Sequence, residues 1–251
     1  MPAMLEVDQL SKRFGGLIAG DNICFSVQVG QIFGVIGPNG AGKTTLFNII
    51  AGHLPPTAGR VLFEGRDITG HSSDRIGRSG IGRTFQAVHV FKNASVRENL
   101  RRAEVIALRH HPFAYLSRRK SARADQCEIA KAFGLADQMD SIAGALPYGL
   151  QKMLGVGMAL MSSPKLLLMD EPVAGLNPSE KLAARDVIRR LRDDWGITIL
   201  LVEHDMPLVM DLCDRILVVN HGKPIALGTP AEIRSNTEVI DAYLGEEYEF
   251  A

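Results

Sequence analysis

Gln31-Ile32-Phe33-Gly34-Val35-Ile36-Gly37-Pro38-Asn39-Gly40-Ala41-Gly42-Lys43-Thr44-Thr45 is the stretch on which the reading of this chain turns. Residues 31–36 are mostly apolar, as a strand buried on both faces would be. Residues 37–42 are a glycine-rich turn. Residues 44–51 read as a helix, ended by Gly52 and the Leu54-Pro55-Pro56 break. The octet from Gly37 to Thr44 satisfies G-x-x-x-x-G-K-[ST] at every fixed position, with a strand before it and a helix after it. Glycines let successive backbone N–H groups turn inward and form an anion nest. The helix adds the positive end of its dipole. Lys43 adds a full charge and the Thr44 hydroxyl a hard oxygen donor for Mg²⁺. The expected phosphate-binding set is therefore Gly37, Pro38, Asn39, Gly40, Ala41, Gly42, Lys43 and Thr44, with Thr45 beside it. Such a loop says nucleotide without saying which machine.

Working outward, short strands are expected at 4–7, 22–29 and 59–63, with Ile23, Phe25 and Val27 on one face of the second. The final third alternates strand and helix: strands at 165–169, 197–202 and 215–219, helices at 178–192 and 206–213, and a hairpin return at 224–227. That alternation predicts an α/β fold with a mainly parallel sheet. The middle differs. Residues 92–160 carry almost no strand signal, a helix is expected at 93–107, and another helical stretch runs through Cys127 to about Phe133. Residues 97–123 hold eight Lys or Arg against Glu98 and Glu104, which reads as a solvated helical face. The acidic tail of Glu246, Glu247 and Glu249 is expected to fray.

Composition sets outer bounds. The chain has 251 residues, 46% hydrophobic and 22% charged, enough for a sizeable core and too apolar for disorder. Its formal net charge is zero, which argues against a nucleic-acid coat protein. Cys24, Cys127 and Cys213 have neither redox nor metal-ligand spacing. No apolar signal core opens the chain and no run of about 18 apolar residues occurs, so any work at a membrane is expected to be peripheral.

Three further places carry chemistry. Leu166-Leu167-Leu168-Met169-Asp170-Glu171 is an apolar strand ending in two carboxylates, at the sheet end where open α/β proteins bind ligands. Asp170 suits Mg²⁺, and Glu171 suits polarising an attacking water. His204 follows the strand at 197–202, which is expected to lie beside the phosphate-loop strand. There an imidazole can bridge a partner group and a phosphate oxygen. Gln86 ends a strand expected at 82–85 and can ligate Mg²⁺ or hold water. Phe14, ahead of Gly15-Gly16, can stack on a purine.

Together these motifs resemble, in order and spacing, the ATP-binding subunit of an ATP-binding cassette (ABC) transporter. The order is Phe14, Walker A at 37–44, Q-loop Gln86, a signature loop near 146–151, Walker B at 166–170, catalytic Glu171, the D-loop Ala174-Gly175-Leu176-Asn177 and switch histidine His204. The runs Gly82-Arg83-Thr84-Phe85-Gln86, residues 170–178 and the ending Val239-Ile240-Asp241-Ala242-Tyr243-Leu244-Gly245-Glu246 look like those of branched-chain amino acid uptake systems. The resemblance implies a P-loop NTPase (RecA-like) core with an N-terminal antiparallel β subdomain, spanning about 1–91 and 162–251, and a helical subdomain at about 92–161. It implies ATP and Mg²⁺ as cofactors, with Gln86, Glu171 and His204 catalytic, Thr44, Gln86 and Asp170 toward the metal, and Gly149 toward a partner's nucleotide. The implied partners are transmembrane permease subunits, a second ATP-binding subunit in a homo- or heterodimer, and indirectly an external solute-binding protein, with no nucleic acid. The implied location is the cytoplasmic face of the inner membrane.

One departure stands out. Where the family's signature loop reads Leu-Ser-Gly-Gly-Gln, this chain has Leu146-Pro147-Tyr148-Gly149-Leu150. Pro147 has neither a hydroxyl nor a backbone N–H to give to phosphate. It is also well suited to starting a helix. A weakened loop leads to the expectation of a mixed dimer whose partner carries the better signature. The alternative is an ATP-holding regulatory module without turnover of its own.

Overall fold

The computed structural model describes residues 3–84, 90–110 and 126–248. Two sheets organise it. A six-stranded sheet runs β10-β9-β3-β8-β7-β6, made of β3 (Ile32–Ile36), β6 (Ile81–Arg83), β7 (Leu166–Asp170), β8 (Thr198–Val202), β9 (Arg215–Asn220) and β10 (Lys223–Gly228). Its neighbours are parallel except for the β9–β10 hairpin. A four-stranded antiparallel sheet runs β2-β1-β4-β5, from β1 (Ala3–Phe14), β2 (Leu17–Gln28), β4 (Ala58–Phe63) and β5 (Arg66–Asp67).

The central strands are buried on both faces because successive side chains point opposite ways into two cores. Phe33, Val35, Leu166, Leu168, Leu200, Val202, Leu217 and Val219 join the core shared with the antiparallel sheet and α1 (Lys43–Ile50). Ile32, Ile36, Leu167, Met169, Ile199, Leu201, Ile216 and Val218 face the other core. That second core is roofed by α3 (Val96–His110), α4 (Gln126–Ala132), α5 (Tyr148–Leu160), α6 (Pro178–Asp193) and α7 (Met206–Leu212). Loss of a two-faced strand would open both cores at once, and the phosphate loop hangs from such a strand, β3, buried throughout.

Several elements differ from the sequence expectations. The first two strands are twelve residues each. The alternation in β1 is interrupted by register shifts around Gln9, whose φ of 50° turns the chain out of phase, so its polar half does not look like a strand. The third helix starts at Val96, not 93, because Ser95 and Glu98 cap each other reciprocally at 3.2 and 3.0 Å. α2 (Ser73–Ser79) was not anticipated, nor was α8 (Pro230–Arg234), although α8 has a capping box from Thr229 and Glu232 with Pro230 at its start. α9 (Thr237–Tyr248) carries Glu246 and Glu247 in a helix where fraying was expected; Glu249 lies outside the described residues. The basic residues from 111 to 123 do as well. Among the described residues no helix is long and apolar enough to cross a membrane.

Candidate functional site

The loop between β3 and α1 is folded by its glycines. Gly37, Gly40 and Gly42 have φ of 151°, 75° and 101°. A Cβ on Gly37 would stand 1.9 Å from the carbonyl oxygen of Val219, and one on Gly42 would stand 2.1 Å from that of Ala19. Both are backbone oxygens of packed strands, so no side chain fits at either position. Gly222 N–H donates to Ala41 O at 3.0 Å and braces the loop from the β9–β10 turn. Gly42 is the N-cap of α1 and offers no side-chain cap, which leaves the helix's first amides for an outside acceptor. Asn39, Gly40 and Thr44 are exposed, Thr45 is half-buried, and Gly37, Pro38 and Ala41 are buried. Lys43 is folded back, its ammonium donating to the Gly37 carbonyl and, at 2.7 Å, to that of Pro38. Carbonyls are weak partners for a full charge, so a phosphate oxygen would draw Lys43 away from them.

β7 ends at Asp170, whose side chain is 6% exposed and lies 3.2 Å from the Arg83 guanidinium. Burial raises the Asp170 carboxyl above its ordinary value, and Arg83 opposes this. Arg83 also donates to Asn48 Oδ1 on α1 at 2.8 Å, so one guanidinium ties the Walker B acid to the helix of the phosphate loop.

The next residue, Glu171, has φ 46°, the left-handed region that costs a residue with a side chain on the order of 1 kcal/mol. Its N–H donates to Val202 O of β8 at 2.9 Å. Its carboxylate Oε1 stands 3.8 Å from His204 Nδ1. The adjacency of β3, β8 and β7 thus brings Glu171 and His204 together as the strand order required. Glu203 is fully buried and accepts from Val173 N at 3.0 Å, His204 N at 3.1 Å and Asp205 N at 3.3 Å. One carboxylate therefore holds the loop after Glu171 and the loop carrying His204. Burial raises the Glu203 carboxyl, and those three amides counter it.

The helix that follows the expected signature loop is α5. Pro147 is its N-cap, without a side-chain cap, and Gly149 is buried in its first turn. Gly149 abuts the carboxylate of Glu180 on α6; a Cβ there would stand 2.7 Å from Oε1. The Tyr148 ring lies against Gly175 of the D-loop. Asn177 caps α6, accepting from Glu180 N at 3.0 Å, so the amide serves here as a helix start. Lys152, one turn on, is 6% exposed and donates to Glu171 O at 2.8 Å. Burial lowers the Lys152 ammonium, and Glu203 and Glu171 oppose it.

Phe14 stands at the β1–β2 turn, 45% exposed, with Lys12 Nζ 4.9 Å from its ring centre. Gln86 lies outside the described residues. The sequence reading assigned no role to Arg83, Lys152 or Glu203. Each is a charged residue with at least one partner distant along the chain, Asp170 for Arg83, Glu171 for Lys152 and Val173 for Glu203, and a buried charge and a solvated one are written with the same letter.

These parts have close counterparts in known proteins. A model described as ABC transporter matches residues 21–174, and one described as branched-chain amino acid ATP-binding cassette transporter matches 223–249. The high-affinity branched-chain amino acid transport ATP-binding protein BraF of Pseudomonas aeruginosa is 41% identical over 250 residues, covering 97% of this chain and 98% of its own. LivG of Escherichia coli, described in the same words, is 42% identical with the same coverage. A crystal structure of an ABC transporter's ATP-binding cassette in its ADP conformation superposes with a TM-score of 0.85 at 32% identity, covering 98% of this chain and all of that one. With a family match over more than half its length and relatives above 40% identity end to end, this chain belongs to the ATP-binding subunits of the ABC transporters.

Proposed function

We propose that this chain hydrolyses ATP to drive an importer of branched-chain amino acids or similar small organic solutes. The observation that carries the reading is a carboxylate and an imidazole brought together at the sheet end that bears the phosphate loop: Glu171 Oε1 stands 3.8 Å from His204 Nδ1, His204 just after β8, which pairs with β3, and Glu171 just after β7, the next strand out. The solute class is supported by the match at 223–249 and by the names of the relatives.

In this reading the amides of 37–44 and the start of α1 cradle the ATP phosphates, and Lys43 leaves its two carbonyls for the terminal ones. Glu171 takes the proton of the attacking water, and His204 orients the terminal phosphate against Glu171. The Thr44 hydroxyl and the buried Asp170 carboxylate are hard oxygen donors of the kind Mg²⁺ takes, and Gln86 is proposed as a third. Mg²⁺ neutralises phosphate charge when bound. Arg83 keeps Asp170 oriented toward α1. Phe14 is proposed to stack on the adenine.

The permease subunits are proposed to dock in a groove of about 560 Å³ between α2, β6, α3 and α5. Phe91 and Ile106, 44% and 51% exposed, line it with Ile76, Val156 and Met158, a surface suited to the apolar face of one helix. A second ATP-binding subunit with a fuller signature loop is proposed to complete the nucleotide site, at the cytoplasmic face of the membrane.

The test is hydrolysis by the assembled transporter with Mg²⁺. Glu171→Gln should lower kcat by about 10²- to 10⁴-fold while nucleotide still binds. Tight binding with no turnover in the wild-type assembly would favour the regulatory module. Uptake of leucine by vesicles carrying the assembly, dependent on Glu171, tests the solute class.

A further inference from the structure

Glu171 is gripped from two sides. Its amide is held by β8 through Val202 O, and its carbonyl accepts from Lys152 Nζ of α5 at 2.8 Å and from Ala174 N at 3.2 Å. The grip holds a residue in the left-handed region, at φ 46°, a conformation that persists only where its surroundings impose it. Lys152 reaches it from the same helical face as Tyr148, four residues earlier, and its ammonium lies 5.7 Å from the Tyr148 ring centre. Tyr148 in turn lies against Gly175, and Gly149 against Glu180. One face of α5 is thus braced along residues 171–180. A buried ammonium is costly unless hydrogen-bonded, and an apolar side chain would fill this space without that cost. The charge here makes a directed contact to the backbone of the one residue proposed to activate water.

We propose that Lys152 is a positioning residue for Glu171: it ties helix α5 to the Glu171 carbonyl, so that the attitude of α5 sets where the Glu171 carboxylate stands relative to His204. The proposal rests on the reading of Glu171 as the water-activating group. A displacement of about 1 Å at a reacting group is enough to cost on the order of 10²-fold in rate. Tilting α5 therefore suffices to switch hydrolysis without touching the phosphate loop.

The test uses Lys152→Met, which keeps the volume and removes the donor, with Lys152→Arg as the donor-retaining variant and Lys152→Gln as a shortened one that weakens the contact. In the isolated full chain, hydrogen exchange of the peptide spanning 171–176 should rise about tenfold in Lys152→Met, with β3 and β8 unchanged. In the assembled transporter kcat should fall about 10- to 100-fold, with the Kd for a fluorescent ATP analogue within about twofold of wild type. Lys152→Arg should recover most of both. If Lys152→Met does not fold, Lys152→Gln, a shorter and neutral donor, should show the same pattern at smaller size. Unchanged exchange at 171–176 together with unchanged kcat in a folded donor-removed or shortened variant overturns the proposal. So does a loss confined to nucleotide affinity. Were hydrolysis indifferent to Glu171→Gln, the role of Glu171 would fall, whereas the anchoring of its loop would still be read from the exchange.

Discussion

Two helix starts in this molecule are proposed to meet phosphate, and they are built differently. α1 begins on Gly42, after a loop whose three left-handed glycines turn amides toward an outside acceptor, and no side chain covers its end. α5 begins on Pro147, with Tyr148 packed on Gly175 and the Glu180 carboxylate already against Gly149. The first is an open anion site. The second has lost one backbone donor to proline and has an acid at its mouth, which opposes a second anion. α6, α7 and α8 show the third possibility: Asn177, Asp205 and Thr229 each cap their own helix with a side chain that takes up the N3 amide. A helix start is a binding site only when the protein declines to cap it, and α5 sits between the two cases.

The largest expected break in that comparison comes from Gly37→Ala. A Cβ there meets a backbone oxygen that cannot move without moving β9, so the variant should lose about 3 kcal/mol or more in urea unfolding. Gly149→Ala meets only the end of a flexible Glu180 side chain and should cost about 1 kcal/mol or less. Equal losses would mean that the two loops are equally rigid. Lys43→Met should weaken ATP binding about 100-fold by titration, because it removes the one full positive charge in the loop; melting should change little, since the hydrogen bonds of Lys43 to the Gly37 and Pro38 carbonyls stay within the loop.

Pro147→Ser sharpens the comparison from the other side. A restored donor to a charged group is worth about 1.5–3 kcal/mol, so hydrolysis by the isolated chain should rise about tenfold or more. No rise would place the limit in Tyr148 and Glu180. The smallest effect concerns a closed helix start. Asp205 accepts from Leu208 N at 3.1 Å and from Lys181 Nζ at 2.6 Å. Burial by itself would raise its carboxyl, but these two donors hold it below its ordinary value. Asp205→Ala should cost about 1–2 kcal/mol at neutral pH. A lowered carboxyl contributes stability that is present above its unfolded value of about 3.9 and is lost as pH falls through the folded one. The difference from wild type should therefore shrink below about pH 4, and a constant difference down to pH 2 would show that the carboxylate charge is not what stabilises α7.

The sequence was most informative where chemistry is local. The phosphate loop, the buried strands before it and at 166–170, and the helix after Asn177 each carry their reason within a few neighbouring residues, and each stands within a residue or two of its expected place. Strand β1 was half missed because a bulge at Gln9 breaks the alternation, and α8 was missed although Thr229 and Glu232 spell its cap. Gly149 was expected toward a partner's nucleotide and Asn177 to end the D-loop, and the fold shows what else they do: one makes room for Glu180, and the other caps α6.

By itself the sequence determined the phosphate loop, the order of the motifs and the family, because glycine conformation, helix starts and strand burial are properties of short stretches of chain. Only the tertiary structure decided that Arg83 holds Asp170, that Glu203 fastens the loops of Val173 and His204, and that Lys152 reaches the carbonyl of Glu171. A buried charge is defined by the partner that faces it, and in a fold of crossing strands and packed helices that partner is set by which elements lie side by side.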